Sequence, residues 1–341
     1  MRARSFAIAA ALIGAFAASA AVAEDKPVWV VTAVAENDLF ARNNTDRHYS
    51  NGLRATLLFK ESEFHDTLWE AARKLPIFSD GKAWRVGLAI GHNIYTPEDK
   101  QRLDPIPGDR PYAGWLYGGA VLQSRSETSL ETLELDLGVV GPAAFGKEVQ
   151  NNWHRYVVSA PEVRGWSNQL RNEPGILLVY ERRWSAWQTP VSEPTLRSVL
   201  GKGLGIDVVG NLSGSVGNVL TYAGAGATLR FGDNLSVDFG PPRIQPALTG
   251  SDAFHPVDAF AWYVFVGAEG RAVARNIFLD GNTFKDSQSV SKKSFVADLQ
   301  GGLVFVFDRF RISYTQAMRT REFDGQKRPD WFGSLGASIR F

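Results

Sequence analysis

The chain has no cysteine, which excludes a disulfide framework, a thiolate metal site and thiol nucleophiles. Beyond its first 23 residues it also lacks any apolar run approaching the roughly 18 residues of a membrane-spanning helix. Charge of one sign is missing too. Its 37 Lys and Arg against 36 Asp and Glu leave a formal net charge of +1, which gives no electrostatic case for nucleic acid. No internal repeat breaks its length into smaller units.

What the chain has begins with a leader. Arg2 and Arg4 precede the short apolar stretch FAIAAALIGAFAASA, and Ala21-Val22-Ala23 supplies a small-x-small cleavage signal. Residues 1–23 are therefore expected to be a signal peptide, and 24–341 a single exported domain.

In that domain β-rich runs of about ten residues recur. Strands are expected near 28–36, 49–60, 84–94, 113–125, 130–141, 173–184, 203–213, 219–232, 259–272, 294–307, 309–320 and 331–341. The clearest set Leu53, Ala55 and Leu57 against Arg54 and Thr56, and Leu133, Leu135 and Leu137 against Glu134 and Asp136. Acidic groups at every second position of an apolar strand suit a polar lumen and a lipid-facing exterior. In lipid every backbone group must be paired, so strands without helices imply closure. The last strand carries Trp331, Gly333, Leu335, Ala337, Ile339 and Phe341 on one face and Ser334, Ser338 and Arg340 on the other. The fold expected is all-β, a twelve-stranded antiparallel transmembrane barrel of the outer membrane of a Gram-negative bacterium. A soluble β-sandwich explains the alternation but not the terminal aromatic. Trp29, Trp84, Trp115, Tyr117, Trp184 and Trp331, near strand ends, are expected in interfacial girdles.

With both termini in the periplasm, the loops at 37–48, 95–112 and 142–172 face outward, and 61–83, with its helical pattern FHDTLWEAARKL, forms a periplasmic plug. The first outer loop crowds Glu36, Asn37, Asp38, Asn43, Asn44, Asp46, Arg47, His48, Ser50 and Asn51 into one segment; a solvated turn is the plainer reading of such residues. The second carries Lys100, Arg102 and Arg110, cations that an outer leaflet of phosphorylated glycolipid would attract, within a Pro-Gly-Asp-Arg-Pro turn that is equally well a rigid corner. In the third, 146–158 is expected to form a short amphipathic helix with His154 on its outer part. Histidine suits a general base near neutral pH.

The runs ENDLFARNNTDRHYSNGL, GHNIYTP with GDRPYAGWLY, LGVVGPAAFGKEVQNNWHR and GNLSGSVGNVLTYAGAGATLRFG, in this order over most of the chain, resemble the outer-membrane lipid A 3′-O-deacylase family. The resemblance implies a twelve-stranded barrel that removes an ester-linked acyloxyacyl chain from lipid A of lipopolysaccharide, with Ca²⁺ as cofactor and the active site at the extracellular face. It places the family's Asn-Asp pair on Asn37 and Asp38, its hydroxyl residue on Ser50 and its catalytic histidine on His154, with a substrate-binding cation at Lys100 or Arg102. One position departs: the glutamate six residues after the histidine is replaced by Ala160, and Glu162, after Pro161, is the acidic residue at hand.

Asp38, with Glu162 as a second acidic ligand, suits a hard oxygen-seeking ion better than zinc. In one reading Ca²⁺ and the Asn37 amide polarise the ester carbonyl, His154 deprotonates a water and Ser50 orients it. In the other, Ser50 attacks and forms an acyl-enzyme. His48, two residues before Ser50, is a lesser candidate for a base. The competing functions are an outer-membrane phospholipase or esterase of other specificity, a non-enzymatic pore and an adhesive barrel. A monomer is expected.

Overall fold

The computed structural model describes residues 29–41, 47–59, 78, 83–245, 248–249, 253–255 and 260–341. The expected leader, the helical pattern at 64–75, and Asn43, Asn44 and Asp46 lie outside them.

Twelve antiparallel strands close into a barrel. They are β1 (Val30–Asn37), β2 (His48–Leu58), β3 (Ala83–Thr96), β4 (Ala113–Arg125), β5 (Ser129–Val140), β6 (Glu173–Pro190), β7 (Leu204–Gly217), β8 (Leu220–Asp233), β9 (Phe260–Asn276), β10 (Phe295–Phe307), β11 (Phe310–Arg319) and β12 (Asp330–Arg340). Each pairs with its neighbours in sequence, and β1 closes the ring. On one edge it runs from Val30↔Arg340 to Asn37↔Gly333, on the other from Val30↔Leu58 to Asn37↔Asn51. Trp29 and Phe341 exchange backbone hydrogen bonds of 3.0 and 3.2 Å, so both ends of the sheet meet at one rim. The opposite rim carries the connections after the odd-numbered strands.

The burial pattern is that of a soluble protein turned inside out. Leu88, Ile90 and Leu137 are 55%, 59% and 54% exposed, whereas Glu134 is 1% exposed and Arg311 1%. Apolar side chains on the outside of a closed sheet, with charge within, match a lipid solvent.

Many of the buried charges are paired. Arg54 donates twice to Glu134, at 2.9 and 3.2 Å. Asp298 accepts from Arg271 at 3.0 Å, from Arg319 at 2.9 and 3.1 Å and from Arg243 at 3.3 Å. Arg243 does not belong to a strand. It lies on the β8–β9 connection, which starts at the terminal rim and folds back into the lumen. There Asp238 accepts from Arg230 (3.0 Å), Arg311 (3.0 Å) and Tyr263 (2.9 Å), and the Ile244 amide donates to Glu36 at 2.8 Å.

Two apolar layers flank these ion pairs. Leu235, Val237 and Phe254 pack with Tyr263, Phe265 and Val304 on one side; Tyr49, Tyr95, Trp115, Tyr117 and Phe278 pack together on the other. Among the described residues these layers and the ion pairs between them fill the lumen. In planar bilayers the protein is expected to show no steady ion conductance, and an open-channel current would refute this packing.

Two sequence expectations need correcting. Trp115 and Tyr117 stack on each other inside the lumen, ring centroids 5.3 Å apart, instead of standing in a girdle. The outward aromatics at the terminal rim are Trp29, Trp187, Phe260, Phe307, Phe310 and Phe341. Strands β6 and β9 also run past the expected ends at 184 and 272, to Pro190 and Asn276. Each carries a bulge there, between Ser185 and Trp187 and between Val273 and Arg275. An extra residue breaks the period of two that a sequence reading follows.

Candidate functional site

At the loop rim, β1 ends in Asn37 and turns through a short helical turn, Asp38–Phe40. This turn folds onto β12 at Gly333, where a Cβ would lie only 2.6 Å from that of Phe40. Asp38 is buried as a result. The Asn37 amide donates to the Ser50 carbonyl oxygen at 2.8 Å, tying the end of β1 to the start of β2.

Ser50 sits in a third bulge, between Tyr49 and Asn51. Bulges re-aim side chains, and this one brings the Ser50 hydroxyl within 2.6 Å of Thr96 Oγ1 at the end of β3. His48, two residues earlier, has φ of 62°, a left-handed conformation unusual outside glycine. Its Nδ1 is 2.8 Å from both carboxylate oxygens of Asp330, its Nε2 is 3.7 Å from Asp109, and Phe323 packs edge-on against the ring. That cage of carboxylates on both ring nitrogens makes His48 a tether between the first, second and last loops.

The same loops are tied again by Arg47, which donates to Glu98 at 2.9 Å. Burial pushes the Glu98 carboxyl upward, but Lys327 and Arg47 outweigh it and hold it below its ordinary value.

The third loop supplies the histidine. Helix α1 (Gly146–Trp153) continues into a wider π-helical turn, His154–Val158. One extra residue per turn rotates the side chains within and beyond it, and such turns are frequent at functional sites. His154, the first residue of that turn, is 4% exposed, not on the outer part of the helix as expected, while Tyr156 is 72% exposed. His154 Nδ1 lies 2.7 Å from the Pro161 carbonyl oxygen. A carbonyl only accepts, so Nδ1 carries the proton and Nε2 of the neutral ring carries the lone pair. The block is braced by Asn151 Oδ1, which accepts from the Val163 amide at 2.9 Å, and by Trp166 Nε1, which donates to Gln150 at 3.0 Å. Val149, Val163 and Trp166 pack on Ile94, which pairs with Asn51. The histidine loop is thus seated on the strand that flanks Ser50.

Other sequence candidates are placed differently. Glu162 is exposed and ion-paired with Arg155, not with His154; the Pro161 carbonyl holds the imidazole instead. Arg110 is fully buried, lies over the Tyr95 ring at 4.8 Å and reaches Glu322 at 3.4 Å, so its charge is spent inside the rim. The Lys100 ammonium is likewise shielded from solvent, whereas Arg102 is exposed. Thr96, Asp330 and the Pro161 carbonyl were not identified from sequence. Asp330 lies 282 residues from His48, and no local pattern announces such a pair.

Asp38 brings a buried carboxylate to this rim, next in sequence to the Asn37 amide. Among the described residues no group of three or more His, Cys, Asp or Glu is gathered as a metal site. A carboxylate and an amide are oxygen donors, a chemistry that suits Ca²⁺ better than zinc.

Among solved structures, LpxR from Salmonella typhimurium superposes with a TM-score of 0.71 at 21% identity, covering 92% of this chain and all of that one. The β domain of the Bordetella autotransporter BrkA aligns over 92% of this chain and 98% of that one at 10% identity, with a TM-score of 0.41. An outer-membrane channel from Pseudomonas putida F1 aligns over 94% and 97% at 10% identity, with a TM-score of 0.38. No curated protein sequence matches the chain. Residues 6–341 match the family described as outer membrane protein LpxR, and the chain belongs to that family.

Proposed function

We propose that this barrel is a lipid A deacylase of the outer leaflet, hydrolysing the 3′-linked acyloxyacyl ester with Ca²⁺ held at Asp38. The observation that carries the reading is the buried His154, whose Nδ1–H is fixed on the Pro161 carbonyl. Family membership and the four ordered blocks of resemblance support lipid A as the substrate class. Loops after odd strands, opposite the termini, would then face the cell exterior, where lipid A resides.

The chemistry assigned to the residues is ester hydrolysis by an activated water. His154 Nε2 takes a proton from water as its oxygen bonds to the ester carbonyl carbon. Charge passes to the carbonyl oxygen, which the Asn37 amide, anchored on Ser50, stabilises. Collapse breaks the C–O ester bond, and the imidazolium returns the proton to the departing sugar oxygen. Asp38 would hold the Ca²⁺, which when bound would supply positive charge for the oxyanion that develops.

One observation favours water over Ser50 as nucleophile. The Ser50 hydroxyl bonds Thr96 Oγ1, and an alcohol neighbour is no base. Ser50→Ala is therefore expected to lower kcat by about tenfold, the scale of a lost orienting hydrogen bond, without abolishing turnover. An acyl-enzyme trapped on Ser50, seen by intact-mass spectrometry, would establish the rival route.

The reading is tested on the purified barrel in detergent with lipid A as substrate. Release of the 3′ acyloxyacyl group, lost with EDTA or Asp38→Asn and restored to the wild type by Ca²⁺, is expected. Release of phospholipid fatty acids instead would make the protein an esterase of other specificity.

A further inference from the structure

Of the second-loop cations expected to anchor an anionic headgroup, Arg110 and the Lys100 ammonium are buried and Arg102 is exposed. A larger group of exposed cations gathers nearby. A groove of about 430 Å³ beside α1 is lined by Lys147, Arg164 and Arg171, together with Trp166, Ser167 and Gln169. All three cations are exposed, and among the described residues no carboxylate lies within ion-pair distance of any of them. The nearest acidic residue in sequence to Arg164 is Glu162, which pairs with Arg155. Glu148, next to Lys147, is exposed as well.

The groove is built on anchored backbone. The Arg164 amide donates to the Lys100 carbonyl at 3.0 Å and the Leu170 amide to that of Tyr112 at 2.9 Å. Asn282 clamps Arg171, accepting from its amide and donating to its carbonyl, each at 2.8 Å. Trp166 is pinned through Gln150. Gln169 Oε1 is buried there with no hydrogen-bond partner, an acceptor placed for a hydroxyl. Fixed segments bearing unpaired cations bind an anion with little ordering cost.

The geometry points to this groove as the docking site for a phosphate on the glucosamine headgroup of lipid A, with Lys147, Arg164 and Arg171 as substrate-positioning residues. Lys147 precedes His154 by seven residues of one helical segment, roughly 10 Å at 1.5 Å per residue. Phosphate in the groove and ester at the histidine can therefore belong to one headgroup. The inference rests on the deacylase reading and adds to it the contact that sets orientation.

The test uses full-length barrel in detergent, its fold checked by heat-modifiable electrophoretic mobility. Wild type is compared with Lys147→Glu/Arg164→Glu/Arg171→Glu and with the milder triple glutamine variant, on bisphosphorylated and fully dephosphorylated lipid A. The expected result is a KM raised tenfold or more on the bisphosphorylated lipid by the glutamates, and less by the glutamines. On that lipid kcat holds within about twofold, and the dephosphorylated lipid does not distinguish the three proteins. An unchanged KM, or an equal loss on both lipids, overturns the inference. So does an effect confined to lipid A bearing its inner-core sugars, which would assign the groove to core anions. Equilibrium binding of the same lipids separates this inference from the catalytic one. If wild type hydrolyses neither lipid, the deacylase reading fails, and phosphate-dependent binding lost in the glutamate variant still upholds the groove.

Discussion

His154→Ala is expected to lower acyl release from lipid A by a factor on the order of 10²–10⁴, the usual contribution of a positioned general base, while leaving the barrel intact. The size follows from how the ring is held. A buried imidazole with its Nδ1 proton given to a backbone carbonyl is held in one tautomer, with Nε2 as its basic nitrogen. The carbonyl of Pro161 belongs to the main chain, so no substitution of Glu162 should disturb this bond. Glu162→Ala is expected to leave kcat within about twofold, because its carboxylate is exposed and faces Arg155, and exposed pairs are weak. A collapse of activity in Glu162→Ala, measured alongside His154→Ala with the same lipid, would show that the acidic residue does partner the base.

The second large effect falls on the lumen. Asp298→Ala removes the acceptor shared by Arg243, Arg271 and Arg319 and leaves three buried guanidinium groups short of a counter-charge. Stranding one partner of a buried ion pair typically costs about 3–5 kcal/mol. The variant is expected to unfold in urea at markedly lower concentration than wild type, followed by tryptophan fluorescence and heat-modifiable mobility. Arg243 sits on the β8–β9 connection, so Arg243→Leu asks a narrower question. It should release that connection from the wall more than it weakens the strands, opening the lumen to conductance. Unchanged urea midpoints in Asp298→Ala would mean that the ion-pair layer does not hold the barrel together.

Much of this was legible in the sequence because a barrel obeys a period of two. Leu135 and Leu137 face out and Glu134 and Asp136 face in, as their alternation says, and twelve strands pair in chain order. The pattern failed where the backbone added a residue. Bulges hid the ends of β6 and β9. Aromatic residues near strand ends were read as a girdle, yet Trp115 and Tyr117 fill the lumen, because residue type alone does not say which face a ring takes. The β8–β9 plug was invisible for another reason. Asp238 and Arg243 find partners on β8, β9, β10 and β11 that only closure of the sheet brings near.

In the site, Asn37, Asp38 and Ser50 were legible as a polar cluster between two strands, and the structure joins Asn37 to Ser50 directly. Lys100 and Arg110 were read as headgroup cations from charge and loop position. Burial, which neither reveals, turned them inward and left Arg102 the exposed cation of the three read in that loop.

The central claim is that this histidine and an Asp38-held cation together hydrolyse lipid A. The most direct measurement is mass spectrometry of lipid A from Gram-negative cells expressing the wild-type chain or His154→Ala, with the membranes incubated in Ca²⁺ or EDTA. Loss of the 3′ acyloxyacyl mass from lipid A is predicted only for wild type in Ca²⁺. An unaltered lipid A profile with wild-type barrel correctly inserted, or equal loss in His154→Ala, would contradict it.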